Sequence, residues 1–242
     1  MHVDVVDLRD FYVGRLGQVA RRHIRAKIRQ LWPDLGGMRL LGLGYATPYL
    51  RPLLAEAERA FALMPASQGV LPWPADGRNL VTLADEMELP LQDYSIDRVL
   101  LVHGLEFSER SRALLTEIWR VLAGGGRLLI VAPNRRSLWA MNSDTPFGQG
   151  NPYSHAQLSR LLRDSQFTPE HSVSALYVPP TRSRMVLRSA GAIERIGQRW
   201  LGGFGGVVMI EASKQLYRPV SERAEKRRPV YVPAHAPLVH GR

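Results

Sequence analysis

The chain predicts an α/β fold: a mainly parallel β-sheet with helices on both faces. Three observations carry that expectation. Short runs such as 38–42 and "RVLLV" at 98–102 are nearly apolar throughout, as strands covered on both faces are. Amphipathic segments at helical spacing alternate with those runs from residue 38 onward. Turns rich in glycine and proline separate the two, as in "PDLGG" at 33–37 and "GGG" at 124–126.

Taken in order, residues 5–32 predict one amphipathic helix. Tyr12, Val13, Leu16, Val19, Ala20, Ile24, Ile28 and Leu31 lie on one side, and Arg15, Arg21, Arg22, Arg25 and Arg29 on the other, with Phe11 and Lys27 as exceptions. Strands are expected at 38–42, 61–64, 80–83, 98–103 and 127–132, with a further pair at 174–178 and 207–212. Helices are expected at 47–60, 109–122 and 182–200, and after Ser154, whose spacing to Gln157 makes a capping box. Three regions follow: an N-terminal helix within 1–34, a core domain at 35–217, and a disordered basic tail at 218–242, where proline and charge replace periodicity.

Composition narrows the function classes. The 242 residues are 45% hydrophobic and 22% charged, ordinary values for a globular protein. Without cysteine there is no disulfide framework, thiolate metal site or cysteine nucleophile. No apolar stretch has the length of a membrane span and no signal-peptide pattern opens the chain, so a cytoplasmic location is expected. The net charge of +10 is concentrated: 11–33 holds six basic residues and no acid, and 218–242 six against two. The rest is neutral. That distribution makes nucleic acid an unlikely partner; the arginine face is either the solvated side of a helix packed on the core or a surface that meets an acidic partner or anionic lipid.

The stretch "GLGYATPYL" at 42–50 turns from an apolar strand into a helix. Thr47 reads as its N-cap and Pro48 as its first residue, so the helix start would face a ligand group with negative charge. By itself a turn with glycine only at Gly42 and Gly44 is equally a structural corner.

The middle of the chain is more specific. Asp85 with Leu89-Pro90, Ile96-Asp97-Arg98-Val99, the helix end Glu117-Ile118-Trp119-Arg120-Val121-Leu122, and Gly125-Gly126 resemble class I S-adenosylmethionine-dependent methyltransferases. The likeness is nearest to the ubiquinone-biosynthesis-type subgroup that acts on small molecules. It covers about residues 38–140, and "GGVVMIEASKQLY" is similar to the family's final strand. The resemblance implies a doubly wound, seven-stranded sheet with its last strand antiparallel. S-adenosylmethionine would lie over strands one to four. Gly42, Gly44, Tyr45, Ala46 and Thr47 would cradle its methionine part, and Asp85 and Glu86 would hold the adenine. His103, Gly104 and Leu105 would floor the site. A carboxylate receiving the adenine amino hydrogens makes a charge-assisted bond.

Three positions depart from the family pattern. Gly42 replaces a strand-one acid, only Gly44 remains of the glycine triplet, and Met64 or Pro65 stands where an acid would bind both ribose hydroxyls. Gln68, Trp73 and Asp76 are the nearby substitutes. His103 is the candidate general base, its ordinary pKa lying near neutrality. Glu106 is expected to face solvent, His155 to be structural, and the loop 144–158, with Phe147 and Tyr153, to form the substrate side. The expected activity is methyl transfer to a small molecule or a protein. The competing expectation is a non-catalytic protein of the same fold that binds a protein partner through the basic helix or tail.

Overall fold

Seven strands form one sheet in the computed structural model, which describes residues 3–216. The expected tail at 218–242 lies outside the described residues. The strands are β1 Arg39–Gly44, β2 Arg59–Pro65, β3 Val81–Ala84, β4 Ile96–Val102, β5 Leu122–Pro133, β6 Phe167–Ala175 and β7 Val207–Lys214. Their order is β3-β2-β1-β4-β5-β7-β6. The first five pair in parallel, and β7 runs antiparallel to both β5 and β6. The direction of winding reverses between β1 and β4, so a crevice opens above their carboxyl ends, the place where such sheets take ligands.

Alternation along each strand divides the core in two. Leu40, Leu100, Val102, Leu129, Val131 and Met209 face one side, while Leu41, Leu43, Val99, Leu101, Ile130 and Ile210 face the other. The first side is covered by α1 Val5–Val13, α2 Arg15–Leu31, α3 Thr47–Leu50 and α7 Ala190–Trp200. The short α6 Arg184–Arg188 packs beside α2 and α7. The second side is covered by α4 Ser111–Val121 and α5 His155–Asp164. Each helix presents its apolar stripe inward, as the binary pattern requires.

Local chemistry changed several expected boundaries. The single helix expected at 5–32 is broken by Gly14, which is extended (φ −65°, ψ 157°). At Gly17 a side-chain carbon would lie 2.0 Å from the Phe11 carbonyl oxygen, so α1 folds against the start of α2 only because a glycine is there. The helix expected at 47–60 is one α-turn followed by a 3₁₀ turn at Arg51–Leu53. Pro52 lacks the N–H that would bond to the Pro48 carbonyl four residues earlier. The helix expected at 182–200 is two, α6 and α7, divided at Ser189.

The largest difference is β6. It spans Phe167–Ala175 where a strand was expected only at 174–178. As the edge strand it leaves Thr168, Glu170, His171 and Ser172 largely in solvent and carries Pro169, so it lacks an apolar run. The capping box at α5 forms as expected, with Ser154 Oγ accepting from the Gln157 N–H.

Candidate functional site

The sharp turn after β1 is held by the neighbouring strand. Gly44 has φ +69°, and a Cβ there would lie 2.3 Å from the Val102 carbonyl oxygen and 3.0 Å from the Gly104 nitrogen. The glycine is therefore needed for two backbones to meet. The Tyr45 N–H donates to the Val102 carbonyl (2.8 Å), so it is not free for a ligand. Gly42 lies beneath α3, with Leu50 Cδ1 2.5 Å from where its Cβ would be. The residue before α3 is Ala46, not Thr47; Thr47 lies in the first turn and is buried.

His103 follows β4 with φ +49° and is fully buried. Its Nδ1 lies 3.1 Å from Glu106 Oε1, and its Nε2 lies 2.7 Å from the Tyr12 hydroxyl. That hydroxyl is in turn 2.8 Å from the Tyr49 hydroxyl. A carboxylate, an imidazole and two phenols thus form one buried chain across the crevice. Gln68 closes it from the loop after β2, its Nε2 donating to the His103 carbonyl at 2.6 Å. Glu106 was expected in solvent; instead it is buried because the Asn151 N–H bonds its carbonyl and Gly150 lies against its backbone. Its Oε2 has no hydrogen-bond partner, an orphaned acceptor at the carboxyl end of the sheet.

Aromatic rings fill the space around this chain. Tyr12 stacks on Tyr45 at 5.8 Å, and Phe147, from the 144–158 loop, lies 4.9 Å from the His103 ring. Phe11 packs edge-on against Phe147 at 5.9 Å. Burial raises the phenol pKa of Tyr12 far above its ordinary value, with further help from Tyr49, and burial also raises that of Tyr49. Both stay protonated at neutral pH. In the sequence Tyr12 was seen only as an apolar-face residue and Tyr49 was not singled out. Their role depends on α1 crossing the crevice, for which helical periodicity carries no signal.

At the other end of the crevice the geometry differs. A groove of about 350 Å³ is lined by Pro65, Ala66, Ser67, Asp85, Glu86 and Arg110, among others. That volume lies within the range of small-ligand sites, roughly 300–1,000 Å³. Asp85 is exposed there, one oxygen accepting the Met87 N–H, and Glu86 accepts from the Ser108 hydroxyl at 2.7 Å. Between groove and turn lies an apolar slot bordered by Gly44, Met64, Glu86 and Gly104, with a volume of about 10 Å³. It admits no more than one water. The candidate ribose substitutes are engaged elsewhere: Gln68 with His103, and Asp76 in a two-pronged pair with Arg51. Trp73 packs against the core on the α1 side of the sheet.

His155 lies between Ser172 Oγ (2.7 Å) and Ser174 Oγ (2.9 Å), tying α5 to β6 in the structural role expected for it. Among the described residues no group of acids and histidines has metal-ligand geometry.

Residues 42–130 match the model of a methyltransferase domain. The structure is similar to an S-adenosylmethionine-dependent methyltransferase from Thermotoga maritima, with a TM-score of 0.62 and 19% identity over 87% of this chain and 96% of the other. A methyltransferase in complex with the Haloferax volcanii Trm112 activator gives the same TM-score and identity, over 87% and 97%. Geranyl diphosphate C-methyltransferase from Streptomyces coelicolor, in complex with Mg²⁺, geranyl diphosphate and S-adenosyl-L-homocysteine, gives 0.53 and 15% over 78% and 77%. The fold is the methyltransferase fold. No curated protein sequence is a significant match.

Proposed function

We propose that the chain is an S-adenosylmethionine-dependent methyltransferase for a small-molecule acceptor, with the methionine half of its donor site covered by α1. The adenine part fits the residues present, a ligand-sized groove with Asp85 and Glu86 at the end of β3, while the ribose finds no acid at Met64 or Pro65. The methionine half does not fit them as they stand. The space beside Gly44 is filled by backbone, and Tyr45 and Tyr12 stack over it. The donor, when bound, supplies an electrophilic methyl group.

The observation that carries the reading is the buried Glu106–His103 pair with its unpartnered carboxylate oxygen. A carboxylate behind an imidazole fixes the ring and stabilises its protonated form, the arrangement a general base needs. With Tyr12 withdrawn, Nε2 of His103 would be free to take a proton from an acceptor hydroxyl or amine, and Phe147 would wall the acceptor side. In this reading Gly42, Gly44, Ala46, Thr47 and Gly104 shape the turn beneath the donor.

Calorimetric titration with S-adenosylmethionine tests the donor site, using the wild-type chain and Tyr12→Ala. Binding that tightens in Tyr12→Ala supports the reading, because α1 no longer competes for the space. Absence of binding at millimolar donor in both refutes it. That second outcome would establish the competing reading, a non-catalytic protein of this fold. Met64 and Pro65 in place of a ribose-binding acid are the observation that favours it.

A further inference from the structure

We propose that the face formed by α2, α6 and α7 docks on an anionic phospholipid surface. This inference is independent of the catalytic reading. The argument begins with charge. A groove of about 790 Å³ runs along α2, lined by five arginines of that helix and by Arg184 and Arg188 of α6. No acid lines it. Arg29 pairs with Glu56, whereas Arg15, Arg21, Arg22, Arg25, Arg184 and Arg188 have no ion-pair partner among the described residues. The one acid of α7, Glu194, is buried and accepts the N–H groups of Leu176 and Tyr177. The outer face of this layer therefore carries positive charge without compensation.

Exposed apolar side chains accompany the arginines. On α6, Met185 is 79% exposed between Arg184 and Arg188. On α7, Ile196 (61%) and Trp200 (76%) are one turn apart, and Leu201 and Phe204 extend the apolar surface. The three helices lie on the same side of the sheet, and the Lys27 ammonium donates to Gln198 to join α2 to α7, so their outer faces share a direction. An arginine-lined groove on α2 and α6 beside exposed tryptophan, phenylalanine and leucine on α7 and the turn after it matches the composition of segments that lie in a membrane interface. There the apolar tips enter the acyl boundary while guanidinium groups stay with lipid phosphates.

Other occupants account for less. Single-stranded nucleic acid would need aromatic rings inside the basic groove, where bases stack. The groove's apolar lining is Val19, Ala26 and Leu187, with no aromatic ring. An acidic protein segment would answer the arginines and leave the exposed Trp200 and Phe204 unexplained. The basic segment 218–242 carries like charge. Among the described residues no helix is long and apolar enough to cross a bilayer, so the contact would be peripheral.

The test is cosedimentation of the full chain with vesicles of phosphatidylcholine alone and of phosphatidylcholine with about 30% phosphatidylglycerol. Binding to the anionic vesicles only, weakened at about 0.5 M salt, is expected. Arg22→Ala with Arg25→Ala should lower the partition roughly tenfold or more, since each basic residue at such a surface contributes about fivefold. Trp200→Ala with Phe204→Ala should lower it as well. These side chains are exposed, so unchanged circular dichroism and melting show that the variants remain folded. Residues 218–242 are intact in every variant, so equal binding by wild type and variants would overturn the proposal. So would failure to bind anionic vesicles. Tight binding to an oligonucleotide or to polyglutamate, lost in the arginine variant and indifferent to Trp200→Ala with Phe204→Ala, would overturn it in favour of a soluble polyanion.

Discussion

Replacing Tyr12 with phenylalanine removes one oxygen atom and preserves the ring that stacks on Tyr45. Two buried groups lose their partner, the Tyr49 hydroxyl and His103 Nε2, at 2.8 and 2.7 Å. An orphaned buried polar group costs about 1–3 kcal/mol, and the variant no longer has to desolvate the Tyr12 hydroxyl itself, so a net loss of about 2–3 kcal/mol is expected. For a chain of this size each kcal/mol corresponds to about 2–4 °C in Tm, giving a fall of roughly 4–12 °C. Calorimetric melting or urea unfolding of the two proteins side by side measures it. A melting temperature within a degree or two of wild type would show that the four-residue chain does not contribute in the folded state. The argument that α1 is held over the crevice by Tyr12 would then fall with it.

Three further outcomes follow from the same geometry. Gly44→Ala should destabilise the protein by at least about 2 kcal/mol, because a Cβ meets the Val102 carbonyl and φ is +69°. Gly37→Ala, with similar φ but open space around it, should cost only about 1 kcal/mol; equal losses in urea unfolding would refute the close approach at Gly44. Burial raises the pKa of Tyr12 and Tyr49, so the folded protein keeps protons that the unfolded chain releases. That stability is complete below about pH 10 and declines above it, by up to about 1.4 kcal/mol per pH unit for each phenol, which alkaline unfolding of wild type against Tyr49→Phe would register. Asp85→Ala should weaken donor binding by about 10- to 100-fold, the worth of a charged hydrogen bond; an unchanged dissociation constant in calorimetry would remove Asp85 from the site.

Most of the sheet was legible in the sequence. β1, β4 and β5 each contain an apolar run, 40–43, 99–102 and 128–132, because both of their faces are covered there, and their positions follow from that run of residues. β6 was not legible, because an edge strand needs only one inward face and its polar residues resemble a loop. The helix breaks at Gly14, Pro52 and Ser189 are decided within one or two turns, on a shorter scale than the apolar stripes that led to single long helices. The candidate site was legible in one half. Asp85, His103 and the turn at 42–47 were singled out in the sequence and follow β3, β4 and β1, whereas Tyr12, Tyr49 and the inward turn of Glu106 depend on contacts between residues as much as 91 positions apart.

By itself the sequence determined the α/β architecture, the concentration of positive charge on α2, and the absence of acids from 38–44 and 61–65. Each is a property of residue type and spacing, which a chain carries before it folds. Only the tertiary structure decided that Tyr12 of α1 reaches His103 and Tyr49, that Glu106 stands behind His103, and that the arginines of α2 and α6 share one groove. Those facts rest on which surfaces meet across the sheet. Contact of that kind is fixed by packing and is written nowhere in local pattern.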